Sequence, residues 1–152
     1  MSRVNRGKDF ERQFKKDWLR CFPETFILRL RDNVSGYKGN AKNPCDFLCF
    51  PKDKLYMLET KSHYDNTFPF SDLTQYEDLL SYRHCKNVVI GVVIWFIDHD
   101  RVIYVPLDTI TKMKQDGCKS VNINKLNGYD YIEIPSIKKR VLMESDYSIL
   151  IV

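Results

Sequence analysis

The chain has 152 residues, 43% hydrophobic and 29% charged, which fits one globular domain spanning 1–152 with its own core and excludes a fibrous or disordered chain. No apolar run approaches the roughly 20 residues that a bilayer crossing needs, and the polar, basic stretch Met1–Phe10 lacks the apolar segment of a secretory leader. Five cysteines (Cys21, Cys45, Cys49, Cys85, Cys118) without a C-x-x-C pair argue against a disulfide framework and a zinc centre. The expected compartment is a reducing, cytoplasmic one, with no membrane partner.

Net charge is +4, unevenly spread. Residues 1–42 hold eleven Lys/Arg against five Asp/Glu, so the first 42 positions carry +6 and the remainder −2. A basic end on a mildly acidic body is an electrostatic footprint for a polyanion. A solvated helix face explains the charge alone equally well.

In chain order, residues 5–21 are expected to form a helix, with Phe10, Phe14 and Trp18 at i, i+4, i+8 as its apolar stripe and Pro23 just beyond its end. Thr25–Arg31 has strand composition, and the Gly- and Asn-rich stretch 32–44 is a loop. Asp46–Phe50 and Leu55–Lys61 form a hairpin across residues 51–54. Cys45 and Cys49 are expected on one face of its first strand, opposite Asp46, as small core residues. A helix over Ser71–Arg83 follows, with Leu73, Tyr76 and Leu80 inward. Val88–Ile97 is a nearly continuous apolar run, expected as a strand buried on both faces. Arg101–Pro106 returns beside it across Asp98-His99-Asp100, and Leu107–Gln115 is a short helix ending near Gly117. Strand-like pieces at Tyr129–Ile134 and Tyr147–Val152 close the chain. The fold class is α/β, order α-β-β-β-α-β-β-α, a central mixed sheet flanked by helices.

The chemistry gathers in the first hairpin. Strand alternation puts Glu59 and Lys61 on one face, and the simplest hairpin register brings Asp46 beside them. Two carboxylates and a lysine at one point suit a hard divalent cation, which takes carboxylate oxygens, water and substrate phosphate. Glu11, at the edge of the first helix's apolar stripe, is placed to look toward the same point.

Asp46, twelve residues, then Glu59-Thr60-Lys61 resembles the PD-(D/E)xK nuclease signature, with Pro44-Cys45-Asp46 in place of adjacent Pro-Asp. Asn5-Arg6-Gly7 followed by Phe10-Glu11, and Thr67-Phe68-Pro69-Phe70 ahead of Gln75, stand in the order found in the RecU Holliday-junction resolvase family. The resemblance is clearest from Asn5 to Leu80. It implies a restriction-endonuclease-like core and a homodimer acting on four-way DNA junctions. It implies Mg²⁺ or Mn²⁺ held by Asp46 and Glu59, with Thr60 in the ligand set. It further implies Lys61 orienting the attacking water, Glu11 completing the acidic cluster, Gln75 facing the lysine, and Thr67 on the substrate side. The arm Met1–Val4 is shorter than is usual in that family, and the stalk falls to residues 32–43. Arg3, Arg6, Lys8, Arg29, Arg31, Lys38 and Lys42 are the candidate DNA contacts.

Competing readings stand beside these. Glu59 and Lys61 also fit an exposed strand pair, Asp46 a turn cap, and Glu11 an i,i+4 partner of Lys15. Asp72-Leu73-Thr74-Gln75 also fits a capping box. The alternatives for function are another nuclease of the superfamily acting on duplex, or a non-catalytic DNA-binding module.

Overall fold

The structure is a computed structural model that describes residues 3–30 and 43–151. Helix α1 (Gly7–Cys21) opens the chain, followed by strands β1 (Phe26–Arg29), β2 (Phe47–Phe50), β3 (Leu55–His63) and β4 (Thr67–Pro69). Next come α2 (Tyr76–Leu80), β5 (Val88–Phe96), β6 (Arg101–Pro106) and α3 (Leu107–Gln115). Strands β7 (Ser120–Asn122), β8 (Ile132–Ile134), β9 (Ser136–Lys139) and β10 (Leu142–Ser145) complete the set, with a final 3-10 turn at Tyr147–Leu150.

Six strands form the central sheet in the order β1-β2-β3-β5-β6-β8. Only β3 and β5 run parallel; the other neighbours are antiparallel. A parallel pair needs a crossover, here supplied by β4, a 3-10 turn and α2. The mixed sheet flanked by helices is the expected fold class.

Sheet alternation splits the core in two. Phe10, Phe14 and Trp18 of α1 pack with Phe47, Leu58, Val93, Trp95, Val102 and Tyr147 on one face. Met57, Ile90, Val92, Ile94, Ile103 and Ile110 meet Phe68, Phe70, Leu73 and Leu79 on the other. The ring of Phe14 lies 4.9 Å from Phe47 and 4.8 Å from Tyr147. Each such side chain stabilises the fold by roughly 1.5–3 kcal/mol. Buried Asp17 locks α1 to β10: it accepts from Gln13 and Arg20 at 2.8 Å and from the Ser145 N–H at 2.9 Å.

Four expectations change. The helix expected over Ser71–Arg83 shrinks to α2, because Phe70–Asp72 closes a 3-10 turn and Leu73 leaves helical geometry (φ −92°, ψ 73°). Leu79 rather than Leu80 becomes its fully buried residue. Where a strand was expected from Tyr147, the described residues form a 3-10 turn at Tyr147–Leu150, which Asp146 caps by accepting from the Ser148 N–H at 3.0 Å. Cys45 and Cys49 fall in opposite cores, since Cys45 precedes β2 and escapes its alternation. The short strands β4 and β7 and the hairpin β9–β10 were not foreseen. All five cysteines are free thiols, and among the described residues no helix is long and apolar enough to cross a membrane.

Gly91 is required where β5 meets β6. A Cβ built there would stand 2.3 Å from Cε2 of Tyr104 and 2.5 Å from its hydroxyl. Gly91→Ala is therefore expected to cost about 1–3 kcal/mol, read as a lower denaturation midpoint at unchanged m-value. An unchanged midpoint would mean that the phenol moves aside freely.

Candidate active site

The β2–β3 ladder pairs Phe47 with Leu58, so one step beyond it Asp46 stands opposite Glu59. The backbone of Asp46 is fixed from its other side, where its carbonyl accepts from the Leu30 N–H at 2.8 Å. Its side chain is fixed by β3: Oδ2 accepts from the N–H of Thr60 at 2.8 Å and from its hydroxyl at 3.0 Å. Asp46 is thus neither a turn cap nor a free surface acid. Thr60, 6% exposed, is seen here as the group that aims it.

Glu59 is fully buried, and neither of its carboxylate oxygens has a hydrogen-bond partner among the described residues. Burial pushes its carboxyl far above the ordinary range; neighbouring Asp46 adds to that and Glu11 adds less, while Lys61 opposes it. A paired surface residue would show none of this. Two carboxylates meeting in a water-poor place need a proton or a cation between them. The donor set is oxygen only, as hard divalent cations prefer. Lys61 lies two residues on, on the same strand face and half-buried, and makes no salt bridge with a described residue.

Among the described residues no three His, Cys, Asp or Glu come together as a metal cage. Glu11 pairs neither with Lys15 nor with a third acid. Its Oε2 accepts from Arg29 Nε at 2.8 Å and lies 2.6 Å from a second guanidinium nitrogen. Glu11 is thus held by an ion pair with Arg29.

The other candidates scatter. Arg3 bridges Asp65 at 2.9 Å and Asp98 at 3.5 Å, with its guanidinium over the Tyr64 ring. Arg6 pairs with Asp9 at 3.4 Å, and Lys8 is exposed. Thr67 begins β4 opposite Asn122. Gln75 precedes the first residue of α2 and makes no capping bond; its Oε1 accepts from the Thr74 hydroxyl at 3.2 Å. The capping box does not form, because Asp72 belongs to the preceding 3-10 turn. Arg31, Lys38, Lys42 and most of the supposed stalk lie outside the described residues. The supporting roles of Thr60 toward Asp46 and Arg29 toward Glu11 escaped sequence reasoning. Only the hairpin register, carried one residue further, points to the first.

No family model matches the chain, and no curated protein does. Among solved structures the chain is similar to Hjc of Archaeoglobus fulgidus, a Holliday junction resolvase from an archaeal hyperthermophile. The TM-score is 0.50 at 16% identity, over 68% of this chain and 78% of that one. At that identity the likeness establishes the fold. The chain carries a restriction-endonuclease-like α/β fold of the kind found in that resolvase.

Proposed function

We propose that the protein is a divalent-metal-dependent DNA endonuclease that resolves four-way junctions, in the manner of the RecU-like resolvases its motifs resemble. The observation that carries the nuclease reading is Glu59: a fully buried carboxylate whose oxygens have no hydrogen-bond partner among the described residues, opposite Asp46 on the sheet. Natural folds rarely leave such a group without a reason. Asp46 and Glu59 would hold Mg²⁺ or Mn²⁺, a Lewis acid that polarises the phosphate and acidifies water. Lys61 places a positive charge beside the attacked phosphate and steadies the charge that develops on its oxygens. Thr60 keeps Asp46 in place through two hydrogen bonds. Hydrolysis then forms one bond from water to phosphorus and breaks one to a sugar oxygen.

The junction preference rests on the resemblance in sequence and on the likeness to a Holliday junction resolvase. A homodimer is part of the proposal. The edge strand β1 carries Phe26 and Leu28 half in solvent, with Phe50 paired to Phe26 and similarly exposed. Such an apolar edge is a surface that proteins ordinarily cover.

The test is a labelled four-way junction beside a linear duplex of matched sequence, with Mg²⁺ or EDTA, for the protein and for Asp46→Ala. Paired nicks on the junction, absent with EDTA and in the variant, are expected. Equal cutting of both substrates would keep the nuclease and discard the junction preference. Binding without any cutting would leave a non-catalytic DNA-binding module.

A further inference from the structure

In the basic N-terminal segment, arginines and lysines part company. Every arginine of the described N-terminal region is matched by acid: Arg3 by Asp65 and Asp98, Arg6 and Arg12 by Asp9, Arg20 by Asp17, and Arg29 by Glu11. All three acids of α1 are thereby committed to arginines. Lys8, Lys15 and Lys16 are exposed, and none makes a salt bridge with a described residue.

Their spacing puts these lysines together. At 100° per residue, Lys8 and Lys15 stand about 20° apart around the helix, with Lys16 one step further round. That side lies away from the buried stripe of Phe10, Phe14 and Trp18. Lys8 and Lys15 are i−3 and i+4 neighbours of Glu11, and neighbours at those offsets share a surface. Glu11 is tied by Arg29 to β1, where Arg29 pairs with Phe47 beside Asp46, so Lys8 and Lys15 flank the end of α1 turned toward that strand end, and Lys16 lies further round the helix. From Lys8 to Lys15 the helix rises roughly 10 Å, which covers about three phosphates of one strand at 3.4 Å each.

We propose that the solvent face of α1, through Lys8, Lys15 and Lys16, is a phosphate-binding rail that seats the backbone of a duplex arm beside the active site. It deepens the nuclease reading and rests on it for the identity of the polyanion. The rail carries no base contacts, so it contributes affinity and placement without sequence preference. Arg3, Arg6 and Arg29 then act mainly within the protein, holding the N-terminal segment, the start of α1 and Glu11.

The test compares wild type with the triple variant Lys8→Gln, Lys15→Gln, Lys16→Gln, which keeps good helix formers on the exposed face. A matched control, Lys52→Gln, Lys54→Gln, Lys86→Gln, removes equal charge at exposed positions near the opposite end of β3. Binding of a four-way junction and of duplex is measured in EDTA across salt, and cutting of saturated junction is measured with Mg²⁺. Each lost phosphate contact lowers the slope of log K against log salt by about 0.9, so the rail variant is expected to lose roughly 2 to 3 from that slope and at least tenfold in affinity near 100 mM salt. The control is expected to track wild type in both binding and cutting. Equal losses in the rail and control variants, or no loss in either, would overturn the rail. Vesicles of phosphatidylserine and phosphatidylcholine give a further arm: loss of vesicle binding with DNA binding unchanged would assign the lysines to a lipid surface and overturn the proposal. Wild type that binds DNA but never cuts it would defeat the nuclease reading, while the slope comparison would still decide the rail.

Discussion

Glu59→Gln is expected to stabilise the protein in chelator at neutral pH, by about 2 kcal/mol or roughly 4–8 °C in Tm for a domain of this size. Glu59 is fully buried with no hydrogen-bond donor among the described residues, and burial raises its carboxyl pKa well above the ordinary 4.5. The folded state therefore keeps a proton that the unfolded state releases above that value. Where the folded state binds more protons, stability falls as pH rises. The loss starts near the ordinary carboxyl pKa and continues upward toward the raised folded value. Each unit removes at most about 1.4 kcal/mol, a ceiling of roughly 3 by pH 7, and relaxation with water entry brings this near 2. Glutamine has nearly the same shape, carries no charge, and offers an amide N–H toward Asp46. Melting curves from pH 5 to 8 in EDTA are expected to slope down for wild type and to flatten for the variant. If Asp46 and Glu59 hold the proposed divalent metal, added Mg²⁺ is expected to raise the wild-type Tm through binding to the folded state and to leave the variant almost unmoved. A wild-type Tm that is flat across that range, or a variant that melts lower, would mean that Glu59 has a partner in solution that relieves its burial.

The elements that were legible in the sequence are those whose pattern is decided locally. Phe10, Phe14 and Trp18 repeat at helical spacing and form the stripe of α1. Val88–Phe96 is apolar at almost every position because β5 lies between two cores. The Asp46–Glu59 encounter was legible for the same reason, since a four-residue turn leaves few registers for a hairpin. What stayed hidden depends on partners distant in sequence. β4 exists because Phe68 pairs with Val121, more than fifty positions away. β9–β10 reads as polar and charged, and its inner residues Met143 and Ser145 are fixed by α1, with Asp17 binding the Ser145 N–H. The basic N-terminus misled in a similar way. Composition counts charges and cannot show that Arg29 folds back onto Glu11 or that Arg3 reaches Asp65. Lys15 and Lys16 looked like ordinary helix surface until those pairings singled them out.

On the proposed nuclease function, Asp46→Asn is expected to lower junction cutting by about a thousandfold or more, as loss of a charged group central to catalysis does, while binding measured in chelator stays close to wild type. Thr60→Val is expected to act differently, although Thr60 touches the same carboxylate. Valine matches the shape of threonine and keeps the backbone N–H that holds Asp46 Oδ2 at 2.8 Å, but removes the hydroxyl at 3.0 Å. One of the two hydrogen bonds that aim the carboxylate is then lost, and its charge remains. Loss of a supporting contact to a metal-binding residue commonly weakens the site 10- to 100-fold. The Mg²⁺ concentration for half-maximal cutting should therefore rise about tenfold or more, with the rate at saturating Mg²⁺ within a few-fold of wild type. Thr60→Ser restores the hydroxyl and should restore the midpoint. Asp46→Asn should not recover at any Mg²⁺ concentration. A Thr60→Val protein with an unshifted Mg²⁺ midpoint would show that the backbone N–H alone positions Asp46. A Thr60→Val rate as low as that of Asp46→Asn at saturating Mg²⁺ would instead make the hydroxyl a direct participant in the reaction.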